Sequence, residues 1–356
     1  MSIPNLYTTE ASSLLREIIA IPSYSSQEEK VADHIESYLK ERGVAVRREN
    51  NNIISSYHGF DPNKSSLLLN SHIDTVRDSD GYTFDPFNPP YNEEIIFGLG
   101  SNDAGASVVS MIQTFIHFKD IELPFNLILI LSAQEECSGK DGIESLSEFT
   151  NSLSCAIIGE PTGMKAAIAE RGLLVIDAVA TGKSGHAARN EGINAIYIAL
   201  NDIEKIKKFN LPKISPTMGE MKFTVTQIEA GSQHNVIPDR CKFTIDIRTT
   251  EQYSNSEIVD ILQQQTESKL TARNLKNRSS ATPVDHPLYH TVQKCGIEKF
   301  VSPTTSDWMR LNIPAIKMGP GDSARSHQAD EYILIAEIEN GIAGYIKFIE
   351  NLNEIE

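Results

Sequence analysis

The stretch Ser65-Ser-Leu-Leu-Leu-Asn-Ser-His-Ile-Asp-Thr-Val76 decides the fold class, because a run of buried-type residues ends abruptly on a histidine and an aspartate. The apolar residues are continuous, not alternating, as in a strand covered on both faces of a largely parallel sheet. Two further stretches repeat the pattern: Phe125–Glu136 (FNLILILSAQEE) and Ser154–Thr162 (SCAIIGEPT). Between the first two, Asp103–Phe118 (DAGASVVSMIQTFIHF) carries Val108, Ile112, Phe115 and Ile116 on one helical face. Strand, helix and strand in that order predict an α/β domain. A preceding helix is expected from about Glu28 to Gly43, with Val31, Ile35 and Leu39 every fourth residue and Gly43 to end it.

The texture changes after about Gly172. Residues 172–182 (GLLVIDAVATG), 221–231 (MKFTVTQIEAG) and 240–250 (RCKFTIDIRTT) read as strands. Residues 194–209 and about 258–266 read as helices, which makes a small α+β unit with one open sheet face. The α/β texture returns at Ile313–Gly321 (IPAIKMGPG) and in a helix from about Ala336. The expected organisation is therefore one α/β domain formed by residues 1–171 and 283–356, with an α+β domain of residues 172–282 inserted into it.

The chain has 356 residues, enough for two domains, and its 40% hydrophobic content permits substantial cores. Its 48 acidic residues against 32 basic ones give a formal charge of −16, which disfavours a phosphate backbone as partner. Cys137, Cys155, Cys241 and Cys295 form no CxxC pair, so a zinc ribbon is excluded and free thiols in a reducing compartment are expected. The first residues lack a basic start followed by an apolar stretch, and no apolar run is long enough for a membrane span. A soluble, cytoplasmic protein is the expectation.

Chemistry-bearing residues sit where the apolar runs stop. His72 and Asp74, two apart on a strand, face the same way, so the carboxylate can orient the imidazole, unless the two are simply a buried pair. Asp103, in Gly98–Ser107 (GLGSNDAGAS), reads either as a helix N-cap or as a carboxylate bridging two cations. Glu135 and Glu136 emerge together from a buried strand, where like charges are costly; their side chains diverge, so one can bind metal and the other face the metal-bound water, unless the pair simply lies in a solvent-exposed loop. Glu160 precedes a proline that turns the chain away, and His327 lies in the loop 319–331 (GPGDSARSHQADE), where a lone histidine reads either as a ligand or as a surface residue. Strand carboxyl ends share one edge of an open α/β sheet, so these positions converge. Oxygen and nitrogen donors without thiolate suit two ions of the zinc type, with cobalt or manganese able to fill the same positions.

The motifs LLLNSHIDTV, GLGSNDAGAS, AQEECSG, IIGEPT and GHAAR, in this order along nearly the whole chain, resemble the acetylornithine deacetylase, succinyl-diaminopimelate desuccinylase and aminoacylase metallohydrolase family. The resemblance implies a zinc-peptidase-like catalytic domain, with a mostly parallel sheet flanked by helices, and an inserted lid and dimerisation domain. It implies one metal on His72 and Glu160, another on Glu136 and His327, and Asp103 between them. It makes Asp74 the orienting group of His72, and Glu135 the general base. Within the inserted domain it gives His186 the tetrahedral oxyanion, and gives Asn235 and Arg248 substrate contacts, Arg248 on a carboxylate; Thr305, in the segment before the last ligand, is a further candidate substrate contact. The segment Ser302–Met309 (SPTTSDWM) departs from the family's glycine-rich one, with bulky Trp308 and Met309 bearing on substrate choice. The expected reaction is hydrolysis of an N-acyl amino acid by a homodimer, foremost N-acetylornithine in arginine biosynthesis. Rivals are a desuccinylase of N-succinyl-ornithine, -citrulline or -diaminopimelate, or a dipeptidase. A non-catalytic homologue binding an amino-acid derivative is disfavoured by the intact ligand set and base.

Overall fold

A computed structural model describes residues 5–56, 60–189, 191–352 and 355. The chain divides into two compact units: residues 1–168, 282–300 and 306–356 form the first, and residues 169–281 with 301–305 the second.

The first unit is built on a mixed sheet. Its centre is parallel: strand Ser66–His72 lies between Asn126–Ser132 and Cys155–Ile158, and the latter pairs with Ala315–Lys317. The margins are antiparallel, through Asn52–Ser56 and Arg47–Glu49 on one side and Ala166–Glu170 on the other. The continuous apolar runs have the cause the sequence implies. Leu67, Leu69, Leu127, Leu129 and Ile157 enter one core, while Leu68, Ile128, Ile130, Ala156 and Ile158 enter another on the opposite face. Successive side chains point to opposite faces, and both faces are covered.

Helices Asn5–Ile19, Glu29–Glu41, Ala106–Phe118 and Ile335–Asn351 cover the first face. Val31, Ile35 and Leu39 of the second helix are buried as expected, but that helix starts one residue later than Glu28. The third helix differs from the amphipathic expectation: nearly every residue is buried, including Ser107, Ser110, Gln113 and Thr114. It is packed between the sheet and the helices Asn5–Ile19 and Ile335–Asn351, so its polar side chains are buried along with its apolar stripe. On the opposite face Trp308 and Met309 are buried, and Trp308 packs among Ile54, Leu68 and Ile130. The bulk of Trp308 is taken up by that core.

The second unit is a four-stranded antiparallel sheet in the order Lys222–Ala230, Arg240–Thr249, Gly172–Thr181, Lys269–Ala272. Helices Ala195–Lys207 and Asn255–Gln265 cover one face around Leu174, Ile176, Phe243, Ile245, Ile258 and Leu262. The second of these helices has a capping box, Ser254 with Glu257, which fixes its start three residues before the expected Ile258.

Candidate metal centre

The residues singled out at the ends of the central strands come together. His72 Nε2 lies 3.3 Å from Asp103 Oδ1 and 4.0 Å from Glu160 Oε1. His327 Nε2 lies 3.0 Å from Glu136 Oε1 and 3.8 Å from Asp103 Oδ2. Each group of three offers donor atoms within 4.8 Å of one another, and Asp103 belongs to both. Two donors each about 2.0–2.2 Å from a tetrahedral ion stand roughly 3.3 Å apart, so the spacing fits one ion per group. The donors are nitrogen and oxygen only. Cys137, next to Glu136, is exposed and turned onto the Gln134 carbonyl, outside both groups.

Asp103 does not cap the following helix. That helix begins at Ala106 without a side-chain cap bond, and Asp103 itself has extended geometry (φ −119°, ψ 96°). Its loop is held from behind by Glu331, whose carboxylate accepts the N–H groups of Gly100, Asn102 and Asp103 at 2.8–2.9 Å. Gly100 has φ +75°, and a Cβ there would meet Thr75 Cγ2 at 2.6 Å, so the loop needs a residue without a side chain.

Asp74 shapes the other half. It accepts the N–H of Glu135 at 3.0 Å, the N–H of Glu136 at 3.2 Å and the Ser25 hydroxyl at 2.6 Å. His72 Nδ1 lies 3.0 Å from the Asp74 carbonyl and 3.5 Å from its carboxylate. A proton on Nδ1 satisfies that contact and leaves the Nε2 lone pair facing Asp103 and Glu160.

So many acids in one buried place perturb one another. Burial, with the charges of Asp103 and Glu136, pushes Glu160 up to about 8 despite the nearby Lys317 ammonium. Burial, with the charges of Glu160, Asp307 and Glu136, raises the Glu135 carboxyl well above the usual carboxylate range. Burial opposes protonation of His72, but its bonds to Asp103 and Asp74 raise it overall. The hydrogen bond to Glu136 lifts His327 to about 9. Such a cluster is an acid-rich pocket that divalent cations would neutralise.

Two buried acids stood out in no sequence pattern. Asp307 accepts the Ser132 hydroxyl at the end of a central strand and is raised by burial to about 6. Glu331 is raised by burial to about 7. Each follows a polar residue in a loop and looks in sequence like a surface acid. His327 (φ +58°), Gln134 (φ +56°) and Asp330 (φ +56°) are left-handed without being glycine, a conformation that concentrates at functional sites.

The remaining candidates lie in the second unit. The two-residue strand Gly185–His186 pairs with Val236–Ile237, and the Ala187 N–H donates to the Asn235 carbonyl, so His186 and Asn235 are neighbours and both are exposed. Arg248 is forked onto Asp246, Nε to Oδ1 at 2.9 Å and Nη2 to Oδ2 at 3.2 Å. Thr305 is half-buried in the short segment 301–305. Away from the cluster, His286 caps helix Pro287–Lys294 and His34 pairs with Glu17, while His58 lies outside the described residues.

Residues 68–351 match the family described as peptidase family M20/M25/M40. The chain belongs to this family. As an M20 member it is a metal-dependent hydrolase of amide bonds. It is 27% identical to the acetylornithine deacetylase of Proteus mirabilis, over 92% of each chain. It is 25% identical to the [LysW]-lysine/[LysW]-ornithine hydrolase of Saccharolobus solfataricus, over 98% of this chain and 97% of that one. Among solved structures it is similar to a Bacillus subtilis dinuclear metal-binding peptidase of the M20 family, with a TM-score of 0.75, 16% identity and coverage of 99% and 100%. Among the described residues no helix is long and apolar enough to cross a membrane.

Proposed function

We propose that this M20 enzyme removes an N-acyl group from an amino acid, using two divalent metals, and that N-acetylornithine is its substrate, in arginine biosynthesis. The observation carrying the proposal is the pair of three-residue groups joined through Asp103, with Glu135 close enough to feel the charges of His72, Glu160 and Glu136. His72 and Glu160 would hold one ion, Glu136 and His327 the other, and Asp103 both; zinc suits the donors best, with cobalt or manganese as substitutes. When bound, the ions supply Lewis acidity and a water that ionises near neutral pH.

The chain's own residues do the rest. Asp74 fixes the His72 tautomer and the two amides of the acidic turn. Glu135 takes a proton from the attacking water and returns it to the departing amine. His186 donates to the oxyanion. Asn235 and Thr305 line the substrate, and Arg248 receives its carboxylate, which must then compete with Asp246 for the guanidinium fork.

The ornithine side is supported by two relatives named for ornithine substrates. A homodimer through the second unit is supported by the exposed Tyr197, Leu200 and Ile228 and by the edge strand Lys222–Ala230. A cytoplasmic setting is supported by the free cysteines. The test is amine release from N-acetyl and N-succinyl forms of ornithine, citrulline, lysine and diaminopimelate, and from dipeptides, with and without zinc. Zinc-dependent release from N-acetylornithine, faster than from every other member, is expected. Preference for a succinyl form or a dipeptide would overturn the substrate, and no release from metal-loaded protein would overturn the activity.

A further inference from the structure

Glu28 takes no part in the chemistry above, yet it is completely buried. It precedes helix Glu29–Glu41 with helical backbone angles and makes no cap bond, so its side chain is free for another purpose. Oε1 accepts the Ser26 N–H at 2.5 Å and the Gln134 N–H at 3.2 Å; Oε2 accepts the Asn51 amide at 3.0 Å. Gln134 is the last residue before the Glu135–Glu136 pair, and its φ of +56° is one that a side chain disfavours.

Three successive amides, those of Gln134, Glu135 and Glu136, therefore end on two buried carboxylates: the first on Glu28, the next two on Asp74. One segment ties both acceptors, since the Ser25 hydroxyl donates to Asp74 and the Ser26 N–H to Glu28. Without an acceptor at Glu28, Gln134 has reason to leave the left-handed region. Its relaxation would rotate the residues that follow.

We propose that Glu28 is a positioning residue that locks the left-handed Gln134 and so aims Glu135 at the reacting water and Glu136 at His327. The proposal rests on the roles given above to Glu135 and Glu136. It assigns Glu28 to one half of the centre: the Glu136–His327 site depends on it, and the His72–Glu160 site does not. A displacement of about 1 Å at a catalytic group lowers rates by about 100-fold, and loss of a group supporting a ligand weakens metal binding by about 10–100-fold.

The experiment compares wild type, Glu28→Ala, Glu28→Asp and Glu28→Gln. It reads two-step zinc affinity by chelator competition, hydrogen exchange of residues 134–136, thermal midpoint, and kcat and KM on the substrate found in the panel. His327→Ala identifies the step belonging to the Glu136–His327 ion. Glu28→Ala should weaken that step at least about 10-fold, leave the other within about two-fold, speed exchange at 134–136, and lower kcat about 10–100-fold with little change in KM. Glu28→Gln keeps one acceptor oxygen for Gln134 and should restore most of the loss. Gln134→Gly, which removes the disfavoured φ, should partly rescue Glu28→Ala.

A lowered midpoint with both zinc steps and kcat within two-fold of wild type would overturn the proposal, as would equal weakening of both steps. If Glu28→Ala does not fold, Glu28→Asp decides by the same readouts, because it withdraws the carboxylate by one methylene. If wild type hydrolyses nothing in the panel, the proposed function fails, while the zinc affinities and exchange rates still decide the role of Glu28.

Discussion

Stripping metal and raising pH should destabilise the first unit, with Glu160 a main cause. This carboxyl, 8% exposed, is lifted by burial from an ordinary value near 4.5 to about 8 in the metal-free chain. Since its folded value exceeds its unfolded one, folding favours the protonated form. The native state bears no penalty from this group below about pH 4.5, and the penalty is complete above about pH 8. Each tenfold corresponds to 1.36 kcal/mol, so the loss across that window is on the order of 4–5 kcal/mol. For a unit of this size it corresponds to a fall in midpoint of roughly 10–15 °C. Asp307, Glu331 and His327 are all raised and slope the same way, whereas Asp74 and Asp103 are lowered and are already ionised throughout pH 5–9. The assay is thermal and urea unfolding of chelated protein from pH 5 to 9, beside Glu160→Gln and the zinc-loaded wild type. Chelated wild type should lose stability steeply, Glu160→Gln should be flatter by roughly 10 °C, and zinc, which needs deprotonated ligands, should remove most of the slope. Parallel curves for wild type and Glu160→Gln without metal would refute the reasoning.

Glu135→Gln should retain both metals yet lose about 100–10,000-fold in kcat, read by steady-state kinetics beside metal analysis. It should also make the metal-free protein more stable at pH 8, because the raised carboxyl it removes is penalised there, as unfolding will show. Asp74→Ala leaves two amides and a hydroxyl without their acceptor and leaves His72 only the residue-74 carbonyl, so zinc affinity should fall about 10–100-fold by chelator competition. Arg248→Ala should raise KM for a carboxylate-bearing substrate with a smaller change in kcat. His186→Ala should lower kcat at unchanged metal content, and mixing it with Glu135→Gln should restore part of the activity if each active site takes its histidine from the partner copy.

The fold and the gathering of the candidate metal ligands were legible in the sequence for one reason. A strand covered on both faces carries an unbroken apolar run, so the ionisable residues that appear shortly after the run mark the sheet edge. His72, Glu135 and Glu136 follow such runs, and Glu160 follows another after one glycine. Asp103 was ambiguous because a carboxylate before a helix reads as a cap; only its extended angles and the absence of a cap bond decide the matter. The burial of Trp308 was not legible, since a departure from a family motif marks a change of environment without saying which environment.

The acids that support the ligands left no such mark. Glu28, Glu331 and Asp307 sit in polar stretches, and what buries them is the approach of backbone amides or a hydroxyl from segments about 100–230 residues away. Ser25 and Glu28 even have the Ser-x-x-Glu spacing of a capping box, yet Ser25 bonds to Asp74 and Glu28 to Gln134. That spacing by itself suggests a local task, while the fold gives both a distant one. A carboxylate that accepts amides from a distant loop fixes the loop's shape whatever its side chains are. Candidate ligands such as His72, Glu136 and Glu160 can therefore be read one by one from strand ends, but their mutual geometry depends on residues whose role becomes visible only once the chain has folded.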